Sequence, residues 1–176
     1  MNTILGLDIS TSKIGLSILD NKQNLLYCHV MKFNPKDSLE DRCLVLEYYI
    51  KNSLNIQYDI DSVFVEQPFM MFSGGKTTAM TMSKLQRFNG MVCYMLRKLY
   101  GYDAQLIAAN KARGAIGLKV KRGENTKQKV IEWVKQRYPK DFVFELTRHG
   151  NPKPGTDDKA DAVVVALAGT ILNSQL

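Results

Sequence analysis

Cysteine is scarce in this chain. Cys28, Cys43 and Cys93 are odd in number, far apart and without a CxxC spacing. They form no disulfide framework and read as reduced thiols of a cytoplasmic protein. The two histidines, His29 and His149, stand at no spacing that suggests zinc. No apolar run approaches the ~20 residues a membrane span requires. The longest, Ala162–Gly169, has eight. Asp8 interrupts the first apolar run, unlike the core of a secretory signal. Repeats, low-complexity tracts and dividing linkers are also missing. The 176 residues are therefore expected to form one domain, 1–176, large enough for a core without staples.

What the chain does have is localised positive charge. Its net charge is +7, and the segment 111–153 holds twelve basic and four acidic residues. The remainder is close to neutral. A basic segment on a neutral domain suits a phosphate-backbone binder, although a solvated face would look the same.

Three strand-like runs open the chain, Ile4–Ile9, Lys13–Leu19 and Leu25–Phe33, broken by turn residues at 10–12 and 20–22. Asp37 and Ser38 offer an N-cap for a helix to about Leu54. Ser62–Glu66 reads as a buried parallel strand and Thr77–Leu99 as a long helix. A fifth strand at Ala104–Ala108 precedes helices at Asn110–Ala115, Thr126–Arg137 and Asp158–Leu172. This order predicts an α/β fold with a mixed five-stranded sheet and helices on both faces. Right-handed crossovers place the first and fourth strands side by side at its centre.

That topology brings Asp8 and Glu66, each at the end of an apolar strand, into one cleft. An acid in such a strand is costly without compensation, although Asp8 could simply cap the strand end. Asp158 and Asp161 share one face at the start of an apolar helix, where the helix dipole also favours acids. Four converging acids without Cys or His form an all-oxygen site suited to Mg²⁺, with Mn²⁺ as substitute. Two such ions ~3.5–4 Å apart can drive in-line phosphodiester hydrolysis. Gly155 and Thr156 look like a loop end and an N-cap, leaving the neighbouring Asp157 free to reach water.

The segments ILGLDISTSKIGLSILD, VFVEQPFM, LQRFNG, IAANKAR and DDKADAVVVALA together resemble a RuvC-type Holliday-junction resolvase, of the RNase H-like, retroviral-integrase-like superfamily. The resemblance covers nearly the whole chain. It implies an RNase H-like fold, with Asp8, Glu66, Asp158 and Asp161 as metal ligands. It also implies a Mg²⁺-dependent endodeoxyribonuclease acting as a homodimer, which nicks two opposed strands of a four-way junction. Arg113 and Lys127 match the basic residues that hold the scissile phosphate. Phe69 matches the aromatic that lies against opened bases. The remaining side chains expected on DNA are Lys76, Lys111, Lys119, Lys121 and Arg122. The loop 69–78 and the segment LKVKRGEN look longer than the family's usual ones, and both lie where DNA should sit.

Gly75-Lys76-Thr77 imitates the end of a P-loop, but Met70 stands where that motif needs Gly. Trp133 and the methionines read as core, and the helix 77–99 as a candidate dimer surface. An actin-like or sugar-kinase-like ATPase shares the opening motif, but it needs a second nucleotide-clamping domain. A non-catalytic binder of branched DNA is the other alternative, and the intact acid set argues against it.

Overall fold

A computed structural model describes residues 3–68 and 79–173. Its sheet has the order β3-β2-β1-β4-β5. β1 (Thr3–Ile9), β2 (Lys13–Asp20) and β3 (Leu25–Lys32) form an antiparallel meander. β4 (Ile60–Glu66) adds parallel to β1, and the short β5 (Gln105–Ile107) parallel to β4. The first and fourth strands are neighbours, as crossover handedness requires. Turn chemistry sets the meander. Ser10 Oγ donates to the Lys13 carbonyl, and Asp20 Oδ1 accepts from the amides of Lys22 and Asn24. β5 is shorter than expected, and its Leu106 is exposed, in keeping with a sheet edge.

Strand alternation divides the core in two. Leu5, Leu7, Ile14, Leu16, Ile18, Val63 and Val65 face α1 (Leu39–Tyr49) and α3 (Ala79–Tyr100). On that side Phe33 and Phe88 meet edge to face at 5.8 Å. Ile4, Leu19 and Phe64 face α5 (Thr126–Arg137) and α6 (Thr156–Asn173), beside the short α4 (Ala109–Ala115).

Ser38 caps α1 in a reciprocal box with Asp41. The helix expected to run to Leu54 widens into a π-helical turn at Ile50–Leu54 and closes with α2 (Asn55–Gln57). Leu46, Ile50 and Leu54 are all buried, and residues four apart drift about 40° around a regular helix. The wider turn returns them to one line.

α6 lies directly on the sheet. A Cβ at Gly6 would fall 2.5 Å from the Ala162 carbonyl oxygen, and one at Gly15 would fall 2.0 Å from that of Asp158. Only glycine permits this approach. Ser17 Oγ donates to the Ala162 carbonyl at 2.7 Å, fixing the helix along β2.

Candidate active site

The close seating of α6 is what assembles the site. Asp8 pairs across the antiparallel ladder with Gly15, whose missing side chain admits the first turn of α6. Leu7 and Val65 are the last paired positions of β1 and β4, so Asp8 and Glu66 come next, side by side. Both follow the alternation of Gly6 and Phe64 and lie on the sheet face that α6 covers. Asp158 and Asp161 enter from that helix. The four acids identified from the sequence thus come together.

Their electrostatics report crowding. Burial, and then the charges of Glu66, Asp161, Asp158 and Asp157, push the Asp8 carboxyl well above its ordinary value. Glu66 is pushed up to about 7 by burial and by Asp161, against the opposing charge of Arg113. Asp161 is pushed up to about 6, by burial first, again with Arg113 opposing. Burial and Asp157 also raise Asp158, while the Lys13 ammonium works the other way.

No protein-family profile and no curated protein sequence matches the chain. Solved structures do. RuvC of Thermus thermophilus in complex with a Holliday junction substrate superposes with a TM-score of 0.70 at 16% identity, covering 99% of this chain and 96% of that one. A second structure of that RuvC gives 0.65 at 18% identity, over 98% and 96%. The yeast mitochondrial Holliday junction resolvase Ydc2 gives 0.60 at 15% identity, over 98% of this chain and 79% of that one. The chain has the RuvC fold. The RNase H-like sheet expected from the sequence is therefore the observed one.

Within this fold the α6 terminus departs from expectation. The helix begins at Thr156, not after it, and Gly155, at φ +103°, makes the turn into it. Thr156 Oγ1 donates back to the Lys153 carbonyl at 2.7 Å and so does not cap the helix. Asp157, expected to reach water freely, instead accepts from Lys127 Nζ at 2.5 Å, with Lys13 Nζ at 3.9 Å. Burial works to raise its carboxyl. The hydrogen bonds from Lys127 and Asp158 and the nearby cations outweigh it and hold Asp157 well below the ordinary carboxylate range.

Lys13 was missed in the sequence. Its ammonium lies 2.6 Å from Oδ2 of the largely buried Asp158. The available signal was alternation: Lys13 is two residues from Gly15 on the same face of β2, and Gly15 is the cross-strand partner of Asp8.

Arg113, on α4, directs its charge at Glu66 and Asp161. It also lines a groove of about 460 Å³ with Asn110, Lys121, Arg122 and Thr126. Lys111 and Lys119 are exposed nearby on the same stretch of chain. Phe69, Lys76 and the P-loop-like Gly75-Lys76-Thr77 lie outside the described residues. His29 and His149 are exposed, and Trp133 is half-buried against the α6-side core.

Among the described residues, no three His, Cys, Asp or Glu side chains have closed to the spacing of a bound metal ion. The donor set nevertheless fits a hard divalent cation. All its ligating atoms are carboxylate oxygens, and among the described residues no neighbouring cation opposes the burial and mutual repulsion that raise Asp8.

Proposed function

We propose that this chain is a divalent-cation-dependent endonuclease that resolves four-way DNA junctions. The observation that carries this reading is the meeting of Asp8, Glu66, Asp158 and Asp161 beside the Arg113 groove. The likeness to RuvC and to a mitochondrial Holliday junction resolvase supports the choice of substrate. The whole of 1–176 acts as one nuclease domain.

Asp8, Glu66, Asp158 and Asp161 would hold Mg²⁺, two ions in the working complex, with Mn²⁺ as substitute. Bound there, such ions activate water and stabilise the leaving oxygen of a phosphodiester. Arg113 faces the carboxylates from α4 and is placed to hold the scissile phosphate against them. Lys127, paired with Asp157 in the DNA-free chain and largely exposed, is placed to turn to the same phosphate. Lys111, Lys119, Lys121 and Arg122 bind the DNA arms through backbone phosphates, and Lys76 joins them. Phe69 stacks on opened bases at the junction centre.

Paired nicks on opposed strands require two sites, so the working form is a homodimer in a cytoplasmic, DNA-associated setting. Phe88, Val92 and Met95 of α3 are core and unavailable for dimerisation. Leu44 and Tyr48 of α1 and Tyr94 of α3 are exposed and form the candidate contact. Among the described residues no helix is long and apolar enough to cross a membrane.

The test is incubation with Mg²⁺ and labelled four-way junction, replication fork, flap and linear duplex. Symmetric paired nicks confined to the junction are expected. ATP hydrolysis without nicking, or equal cutting of flaps, would overturn the reading.

A further inference from the structure

We infer that Lys13 is a built-in counter-cation: its ammonium occupies the α6 side of the carboxylate cluster, so the free chain takes one divalent ion and admits a second only when Lys13 leaves Asp158. The inference rests on the proposed nuclease site and names a positioning residue within it.

The geometry is asymmetric. Lys13 Nζ stands 2.6 Å from Asp158 Oδ2 and 3.9 Å from Asp157 Oδ1, while Lys127 covers the far side of Asp157. The two acids at the helix start are thus already neutralised by two lysines. Among the described residues, Asp8, Glu66 and Asp161 form no ion pair. Arg113 acts on Glu66 and Asp161 through its charge without contacting them. One side of the site is satisfied by the protein's own cations, and the other still lacks one.

The Lys13–Asp158 pair is also well shielded. The lysine side chain is 25% exposed and the aspartate 9%. Lys13 grows from a fixed position, the first residue of β2, held by the Ser10 turn and two residues from the glycine that seats α6. Water screens such a contact poorly, so like-charge repulsion between the ammonium and an ion sharing Asp158 is strong. A second ion therefore competes with Lys13 for the same oxygen. An incoming phosphodiester offers the displaced ammonium a new anionic partner, which couples filling of the second seat to arrival of DNA.

Calorimetric titration of the metal-free full chain with Mn²⁺, near neutral pH and without DNA, counts ions without relying on activity. Wild type is expected to bind one ion per chain. Lys13→Met, nearly the same shape without the charge, should bind two, the second roughly tenfold or more tighter than any second ion in wild type. Lys13→Arg should restore the wild-type count.

A wild-type measurement guards against a variant that fails to fold. The NMR signal of the Lys13 ammonium should persist through the first equivalent of Mg²⁺ and vanish only with excess. Two ions of similar affinity in wild type, with Lys13→Met unchanged, would overturn the role of Lys13 alone. Loss of the ammonium signal with the first equivalent would do the same. Binding of no ion by either protein would overturn the nuclease reading as well.

Discussion

The two faces of the sheet are built from the same strands and behave differently. On the α1–α3 side, branched aliphatic side chains and the Phe33–Phe88 contact fill the space between layers, and the buried side chains are almost wholly apolar. On the α6 side, Gly6 and Gly15 clear the side chains where α6 crosses β1 and β2, and there the helix backbone lies against the strands. A packed side-chain layer tolerates local repacking. A backbone contact does not, and it holds the ends of three elements in fixed relation. The carboxylates gather on the face where the helix cannot shift.

Amide substitution within the cluster should produce the largest effect. Asp8→Asn, Glu66→Gln and Asp158→Asn should each lower nicking by about a thousandfold or more, whereas junction binding persists through phosphate contacts. Asp8→Asn should also match or exceed the wild-type thermal midpoint near neutral pH, since a buried carboxyl crowded by like charges is removed. Asp157→Asn should leave partial activity, because that carboxylate is tied to Lys127. A dead Asp157→Asn beside an active Asp158→Asn would shift the site by one residue.

Gly15→Ala sharpens the contrast between the faces. Its Cβ would meet the Asp158 carbonyl oxygen, so the cost should lie at or above the ~1–3 kcal/mol usual for overpacking, with cleavage lost along with it. Leu16→Ala, one residue on and facing α1 and α3, should cost about 2–5 kcal/mol through a cavity. Its remaining folded fraction should turn over normally. Denaturant melts and rates corrected for folded protein would compare the two, and full activity in Gly15→Ala would remove the link between helix seating and catalysis.

A smaller effect is expected from pH. Glu66, at about 7, and Asp161, at about 6, keep protons in the folded state that the unfolded chain has already released. Between about pH 4 and 7 the native state therefore binds more protons, and metal-free stability falls as pH rises. Added Ca²⁺ should offset this, so the gap in thermal midpoint with and without Ca²⁺ should widen from pH 5 to 7.5. A constant gap would detach the cation from these carboxyls.

Least disruptive is neutralising Lys119, Lys121 and Arg122. Each lost phosphate contact should reduce the slope of log affinity against log salt by about 0.9, for all DNA shapes alike. An unchanged slope would make that run a solvated surface.

Much of this was legible in residue order. Turn residues at 10–12 and 20–22 separated the meander, and Asp8 and Glu66 stood out as acids at the ends of apolar strands. The handedness of crossovers then made their strands neighbours, so the acids could be named without coordinates. The π-helical turn at Ile50–Leu54 was not legible, because the residues there fit a regular helix and only the buried line of Leu46, Ile50 and Leu54 requires the wider turn. The start of α6 was misread because Thr156 is a common capping residue, whereas here Gly155 makes the turn and the Thr156 hydroxyl bonds backward.

By itself, then, the sequence determined the strand order and pointed to the four acids of the candidate cluster, since periodicity and chain handedness are local rules that propagate through the fold. Only the tertiary structure decided how the cations are shared among those carboxylates. Arg113 and Lys127 were named from the resemblance, but the pairing of Lys127 with Asp157 and of Lys13 with Asp158 joins α5 and β2 to the start of α6. Their roles follow from distances between elements, set by how closely α6 settles on Gly6 and Gly15.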